Sequence, residues 1–166
     1  MVYLERTHLE NTRVKAKGFT LLELLAALAI VAVLAAIALP LYNQFSDRSY
    51  RAEVQADLLN CAQALERFSA VNFTYAGTAD TDADGVADGD AGAIGEDICD
   101  ARSVAGDRYD ITIAAAVTTY TLTAAPDANG PMVGDGDLTL DDAGNRTWDQ
   151  NDNNVIDADE DDWNED

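Results

Sequence analysis

The 166-residue chain is strongly acidic: 31 aspartates and glutamates outnumber ten lysines and arginines, for a formal net charge of −21 at pH 7. Such a surface repels a phosphate backbone, so we expect no direct binding of nucleic acid or anionic lipid, whereas cations are attracted. The single histidine, His8, lies near the start, and no serine or cysteine has a recognisable base beside it. We therefore do not expect an enzyme.

An apolar segment near the N-terminus organises the rest of the chain. It runs over 21 residues from Phe19 to Leu39, and Thr20 and Glu23 are its only polar side chains. As an α-helix with a rise of ~1.5 Å per residue it would be ~31 Å long, close to the thickness of the hydrocarbon layer of a bilayer. The sequence therefore predicts a membrane-spanning helix.

The small residue that could mark a cleavage site stands before this apolar segment. A secretory signal is cut after its apolar region, so cleavage behind Gly18 would leave the helix on the mature protein. The motif Lys17-Gly18-Phe19, with Glu23 at the fifth mature position, resembles the class III signal of type IV prepilins. The resemblance implies a leader of residues 1–18, cleavage after Gly18 by a prepilin peptidase, and methylation of the new Phe19 amine.

Glu23 needs an explanation of its own, because an unpaired carboxylate one turn into a membrane helix costs ~3 kcal/mol. The sequence offers no partner close by in the same helix. Glu23 could reach the interface or be protonated. Alternatively, as the resemblance implies, it pairs with the Phe19 amine of a neighbouring subunit and so sets the axial register of a filament.

The chain looks like a type IVa major pilin, and this resemblance implies its function. Residues 19–42 would anchor the precursor in the inner membrane and then form the core of an extracellular pilus, a helical homopolymer built by the pilus assembly machinery. Pro40 stands where pilins carry a proline, and it predicts a kink or local loosening, because proline removes a backbone donor. The alternative is the major pseudopilin of a type II secretion system. The resemblance is compatible with a filament that serves motility, adhesion, DNA uptake or electron transfer.

Residues 43–166 are predicted to form a globular head that begins with the second half of the same helix, ending near Ala70. Apolar residues recur at spacings of three and four, which predicts an amphipathic helix that covers a sheet. This stripe consists of Val54, Leu58, Cys61, Leu65 and Phe68, and the polar residues Arg51, Asp57, Gln63 and Arg67 are expected to lie largely elsewhere.

Alternation of apolar with polar or small residues predicts an antiparallel sheet over residues 109–148. Three strands are indicated by Tyr109, Ile111 and Ile113, by Tyr120, Leu122 and Ala124, and by Leu138 and Leu140, and a turn at 142–145 predicts a fourth. The last two stretches look like the final strands of type IVa pilins. The fold class is α+β, with a long N-terminal hydrophobic helix packed on a small antiparallel sheet.

Cys61 and Cys99 are the only cysteines. They lack the spacing of a redox pair, and a disulfide in an oxidising compartment is favoured over free thiols. Relatives often close a loop near the C-terminus with a disulfide, and this chain has no cysteine there. The tail must therefore be held in another way.

The acidic stretch within residues 76–100 has the ligand spacing of a calcium loop. Carboxylates stand at loop positions 1, 3, 5 and 9, a glycine follows at position 6, and the carbonyl of position 7 can add a ligand. These residues are Asp80, Asp82, Asp84, Asp88, Gly85 and Val86. Position 12 is Ala91, so Asp90, Glu96 or Asp97 would have to complete the shell. The alternative is a solvated acidic loop.

The tail, residues 149–166, opens with a better match to an EF-hand-type loop. Positions 1, 3, 5, 7, 9 and 12 are Asp149, Asn151, Asn153, Val155, Asp157 and Glu160. Asn154 replaces the usual glycine at position 6, and asparagine enters the left-handed region more readily than most residues. No flanking helices are evident. We expect calcium to order both loops and to do for the tail what a second disulfide does in relatives.

Overall fold

The computed structural model describes residues 18–99 and 108–164. The predicted leader therefore lies outside the described residues, except for Gly18. One helix, α1 (Leu21–Asn72), precedes six short β-strands. The chain divides into two compact units, Met1–Tyr42 and Asn43–Asp166. The long helix expected from Phe19 to about Ala70 is confirmed within two residues at each end.

No layer of described residues covers the apolar part of α1 in the first unit. Every large hydrophobic side chain from Leu21 to Leu41 is more than half exposed. By length and composition, α1 is the one helix of the described chain that could cross a membrane. Pro40 lies inside the helix, which continues past it. The expected kink at Pro40 stays a prediction.

The second unit contains an antiparallel sheet in which each strand pairs with the next one along the chain. Its β3–β4 pairing is the longest and runs from Tyr109 opposite Pro126 to Ala115 opposite Tyr120. The strands are β1 (Ala79–Asp80), β2 (Ala91–Ile94), β3 (Tyr109–Ala115), β4 (Tyr120–Pro126), β5 (Leu138–Asp141) and β6 (Arg146–Trp148). The predicted α+β fold is confirmed.

One hydrophobic cluster joins α1 to the inner face of the sheet. Val54, Leu58, Cys61 and Leu65 are completely buried on the helix side. The inward residues of β3, β4 and β5 are those that the alternation predicts. The hydrophobic effect of removing this apolar surface from water is the main stabilising contribution to the head.

The predicted helix stripe is wrong at three positions. Phe68 is only half-buried, whereas Asp57 is buried and Arg51 is half-buried. The buried face is wider than the residues chosen from hydrophobicity, because Asp57 precedes Leu58 and stands three residues after Val54, next to the stripe on a helix with 3.6 residues per turn. Phe68 lies in the last turns of α1, which ends at Asn72.

Arg51 fastens the long connection between β4 and β5 to the helix. Its Nε lies 2.9 Å from Asp135 Oδ1, in an ion pair whose two side chains are 13% and 11% exposed. Tyr109 donates its hydroxyl hydrogen to the same carboxylate at 2.5 Å, and the Trp148 indole donates to the Asp135 carbonyl at 2.7 Å. Burial raises the pKa of Asp135, and Tyr109 and Arg51 partly oppose this effect.

The acidic stretch 76–100 is more ordered than the sequence suggested. Instead of one loop, it contributes β1 and β2, and β2 pairs with β3 through Ala91 opposite Ala114 and Gly92 opposite Ile113. Alanine and glycine have little preference for strands. Pairing with the neighbouring strand, which the composition does not encode, decides their conformation.

The predicted disulfide is present and joins Cys61 on α1 to Cys99, with Cα atoms 5.2 Å apart. Cys61 lies in the hydrophobic cluster and Cys99 packs against it. The bridge closes a sequence separation of 38 residues, which include β1, β2 and the acidic turn between them. It stabilises the folded head by restricting the unfolded chain.

Candidate functional site

The processing and assembly residues lie at the exposed start of α1. Gly18 and Phe19 are exposed, with 89% of the Phe19 surface accessible. Thr20 and Glu23 form a reciprocal cap: the Glu23 N–H donates to Thr20 Oγ1 at 3.2 Å, and Glu23 Oε2 accepts from the Thr20 N–H at 2.9 Å. Such a capping box satisfies two of the free N–H groups at a helix start.

This cap corrects the expectation that Glu23 has no partner close by. Oε2 also accepts a hydrogen bond from the Thr20 hydroxyl at 2.8 Å. The spacing of threonine and glutamate by three residues is itself a signal for a capping box, and sequence reasoning missed it because the segment was read for its hydrophobicity. The carboxylate also stands in the first turn, where the helix dipole favours a negative charge.

The first calcium-loop candidate gathers three of its predicted ligands. One carboxylate oxygen from each of Asp80, Asp82 and Asp84 lies within 4.8 Å of the others. Asp80 is buried and accepts from the Ala83 N–H at 2.7 Å and the Gly85 N–H at 2.9 Å. Ala83 and Gly85 both have positive φ angles, which make the chain turn tightly around Asp80.

The rest of this loop deviates from the predicted ligand set. Asp88 points at Thr81, whose hydroxyl and N–H donate to it and lower its pKa. The Val86 N–H donates to Asp84 at 2.8 Å. Of the three residues proposed to complete the shell, Asp90 accepts a hydrogen bond from the Gly77 N–H, and Asp97 accepts one from the Ala87 N–H. Glu96 is the one of the three with an oxygen beside Gly85: its Oε2 lies 3.4 Å from the position that a Cβ on Gly85 would occupy.

In the tail, Asp149 occupies the first position of the second loop and is 4% exposed. Its two oxygens accept from the Asn153 N–H at 3.1 Å and the Asn154 N–H at 2.7 Å. Asn154 has the predicted left-handed conformation, with φ of 62°, and Asp152 shares it with φ of 51°. The Val155 N–H donates to the Asn153 side chain at 2.7 Å.

Glu160, at position 12, reaches back across the loop and is 3% exposed. Its Oε1 accepts from the Asn151 N–H at 3.3 Å and its Oε2 from the Asp157 N–H at 2.9 Å. The Asn151 amide in turn donates to Asp157 Oδ2 at 3.2 Å. The structure therefore brings the predicted positions 1, 3, 5, 9 and 12 into one turn, with two buried carboxylates at its ends.

The base of this loop sits directly on the connection that follows β4. A Cβ at Gly136, whose φ is +77°, would lie 1.7 Å from the Asp149 carbonyl oxygen. The Asp149 N–H donates to the Asp137 carbonyl at 3.0 Å. Burial raises the pKa of Asp137, and the charges of Asp149 and Asp152 raise it further. Negative potential is therefore concentrated at this end of the head.

Trp163 is a residue that sequence reasoning missed. Its indole N–H points at the carbonyl oxygens of Thr139 on β5 and Thr147 on β6, both at 3.1 Å. The Arg146 guanidinium lies 4.9 Å from the centre of its ring. A tryptophan among acidic tail residues was the available signal. Trp163 holds the tail against the sheet, a role that the ligand spacing of the tail predicts for calcium.

Two sequence families match this chain. The family described as "Prokaryotic N-terminal methylation motif" matches residues 13–39. The family described as "Type IV minor pilin ComP, DNA uptake sequence receptor" matches residues 40–137, more than half of the chain.

A curated relative, the type IV major alpha-pilin of Moraxella bovis, is 48% identical over 42 residues. That match spans 25% of this chain and 26% of the relative. No solved structure matches. The methylation motif, the long helix with its antiparallel sheet and the match over residues 40–137 agree with one another. The chain belongs to the type IV pilin family.

Proposed function

We propose that the protein is a structural subunit of a type IV pilus and polymerises through its N-terminal helix. The observation that carries this proposal is the uncovered first unit, where every large hydrophobic side chain from Leu21 to Leu41 is more than half exposed. Apolar surface of this extent needs either lipid or other copies of the helix around it. The bilayer would cover it in the precursor, and neighbouring subunits would cover it in the filament.

Glu23 would specify how the helices align. Its carboxylate faces the backbone of Thr20, the residue that follows Phe19. After cleavage behind Gly18, the Phe19 amine of a neighbouring copy would bring a positive charge to this carboxylate. Surrounded by apolar side chains, the two charges would attract one another strongly, because the local dielectric is low.

The test compares Glu23→Ala with Thr20→Ala in cells that express the full chain, by counting surface filaments in electron micrographs. Glu23→Ala removes the proposed partner of the amine and should abolish filaments while the processed subunit accumulates in the membrane. Thr20→Ala removes the cap hydroxyl and one methyl group but keeps the Glu23 carboxylate, and should leave most filaments. Normal filaments in Glu23→Ala would rule out this role for the carboxylate, and a wild-type chain that never enters filaments would refute the proposed function.

We also propose that calcium binds the two acidic loops and stabilises the head. Asp149 and Glu160 support this, because backbone N–H groups hold both buried carboxylates in place but supply no counter-charge, which a divalent cation would. Amide and carboxylate oxygens from a tightly turning chain are the ligands that calcium prefers. In the first loop, the three converging carboxylates Asp80, Asp82 and Asp84 repel one another, and a divalent cation would reverse the sign of that interaction.

Calcium should raise the thermal midpoint of the head, because a ligand of the folded state stabilises it by ~1.4 kcal/mol at a tenfold excess over its dissociation constant. The variant Glu160→Gln should lose about half of the rise, and Glu160→Gln combined with Asp82→Asn should lose nearly all of it. Asp110→Asn, which changes an exposed carboxylate on β3, is the matched control. A midpoint that is equal in calcium and in chelator would refute the calcium proposal and leave the filament proposal intact.

The matched families are described as pilins, which supports a pilus subunit over a secretion pseudopilin. One description also names a receptor for DNA uptake sequences. The charge of this head argues against direct DNA binding here: residues 43–166 hold 28 carboxylates and six arginines, a net charge of −22. Affinity for DNA comes largely from cations that neutralise phosphates, and few are present.

A further inference from the structure

One arginine of the head, Arg67, has no partner among the described residues. Five arginines fall within the described residues, and four of them have a hydrogen bond, an ion pair, a ring contact or an electrostatic interaction: Arg48, Arg51, Arg108 and Arg146. Arg67 is exposed on α1 and has no such contact among residues 18–99 and 108–164. The exposed positions before it on the same helix face are uncharged: Ala52, Ala56, Asn60 and Gln63.

The head part of α1 also carries one carboxylate, that of Asp47, that has no partner among the described residues. In the head part of α1, Glu53 pairs with Arg108, Glu66 accepts from the Tyr75 hydroxyl at 3.0 Å, and Asp57 is buried. Asp47 is half-exposed, and its side chain makes no hydrogen bond or ion pair with any described residue. In a head with a net charge of −22, an unpaired cation and an unpaired helix carboxylate invite a partner outside the chain.

Asp47 lies at an open pocket of about 190 Å³ between α1 and residues 131–135. The pocket also contains Asp135, whose carboxylate is already bound by Arg51 and Tyr109. The Asp47 charge is close enough to contribute to the raised pKa of Asp135. A second cation beside Asp47 would neutralise this excess negative charge. Pro131 and Val133 supply apolar walls suited to the methylene stem of a long side chain.

Helix geometry relates the two unpaired residues to each other. Asp47 and Arg67 are separated by 20 positions, which correspond to ~30 Å along the axis and about five and a half turns. They therefore project from nearly opposite sides of α1. Two parallel copies shifted by ~30 Å, with the back of one helix beside the pocket of the other, would bring Arg67 of one copy to Asp47 of the next.

We propose that Arg67 of one subunit enters the Asp47 pocket of another subunit and pairs with its carboxylate. This inference rests on the proposed filament and adds a specific contact between heads to it. The two surfaces differ, so the contact is heterologous: each subunit offers one arginine and one pocket, and repetition of the contact builds an open chain. The pairing also offsets the mutual repulsion of acidic heads at the place where they meet.

The test is a charge swap in the full-length chain, with sheared surface filaments as the readout. Arg67→Gln and Asp47→Asn each lower the yield of filaments by at least about tenfold, because each leaves the other charge without its partner. Exchanging the charges, in the double variant Asp47→Arg, Arg67→Asp, restores the yield to within about threefold of the wild type. The single variants Asp47→Arg and Arg67→Asp place like charges together and assemble worst.

The matched control is Ala143→Glu, which lowers the net charge by one, as Arg67→Gln does, at an exposed turn between β5 and β6. It should assemble normally. Formation of the Cys61–Cys99 disulfide in every variant reports that the head is folded. If Arg67→Gln assembles as well as Ala143→Glu, or if the double variant shows no rescue, the proposed pairing is overturned. In both of those cases, wild-type filaments that depend on Glu23 would leave the proposed function standing.

Discussion

Removing Trp163 is the sharpest test of how the acidic tail is held. Its side chain packs against the hydrophobic core, its N–H reaches carbonyl oxygens on two strands, and Arg146 stacks over its ring. The bond to two carbonyls shares one hydrogen and is worth ~1 kcal/mol. The cation–π contact adds ~0.5 kcal/mol at an exposed site. The rest of the destabilisation in Trp163→Ala comes from apolar surface that is no longer buried. The free energy of unfolding should fall by ~3 kcal/mol in total.

In a head of this size, ~3 kcal/mol corresponds to a fall of ~10 °C in the thermal midpoint. Urea unfolding of residues 43–166, the unit that contains the whole core, gives the free energy of unfolding directly. Trp163→Phe keeps most of the ring and loses the N–H, so it should cost only ~1 kcal/mol. It also leaves Trp148 as the single indole reporter of the core.

The result that would refute this reasoning is a Trp163→Ala head within ~0.5 kcal/mol of the wild type, the range of ordinary surface substitutions. The tail would then not be docked as the structure shows. An equal loss in Trp163→Phe and Trp163→Ala would instead mean that the N–H, and not the ring, provides the attachment. Limited proteolysis distinguishes a released tail from a globally weakened head.

Three further predictions concern a close backbone contact, a buried carboxylate and the net charge of the head. Gly136→Ala should destabilise the head by at least ~2 kcal/mol, because the new Cβ would clash with the Asp149 carbonyl oxygen. The control Gly144→Ala should cost only ~1 kcal/mol, because Gly144 has a similar φ of +83° but no atom within 4 Å of the added Cβ. Urea unfolding gives the free energy of unfolding of both variants. Burial raises the pKa of Asp135 in the folded head above its usual value. The contribution of Asp135 to the free energy of unfolding is therefore largest at low pH and is lost as the pH rises through the raised pKa. Asp135→Asn should remove this contribution to the pH dependence of the thermal midpoint. A pH dependence equal to that of the wild type would contradict the raised pKa of Asp135. In electrophoretic mobility shifts at ~0.15 M salt, the head should not retard duplex DNA, and retardation that weakens with added salt would show that it binds phosphates.

Much of the fold follows from periodicity in the sequence. The spacing of Val54, Leu58, Cys61 and Leu65 predicts the buried helix face, and alternation predicts the inward residues of β3 to β5. These features are local, since a helix or strand repeats its own face along the chain. The disulfide can also be predicted from the sequence, because two cysteines permit only one intramolecular pairing.

The elements that sequence reasoning missed depend on contacts distant in the chain. The strand β2 is formed by alanine and glycine that pair with β3, and nothing in that composition favours a strand. Asp57 and Arg51 were assigned to the polar side of α1, yet the structure buries one and half-buries the other. In the case of Arg51, burial depends on Asp135, 84 residues later in the chain.

The acidic loops lie between these two cases. Their ligand spacing could be read from the sequence, and the turns around Asp80 and Asp149 have the local geometry that such spacing requires. The orientation of Asp88 toward Thr81 could not be read, because a hydroxyl seven residues away competes for that carboxylate. Trp163 was overlooked for a similar reason: its partners belong to β5 and β6 and not to the tail.

The central claim, that this chain is processed and built into a filament, is tested most directly by intact-mass measurement on the subunits of sheared surface filaments. The account predicts a major component whose mass equals residues 19–166 with one added methyl group and one disulfide. Filaments that lack this chain, or a chain that keeps residues 1–18 and stays in the membrane, would contradict it.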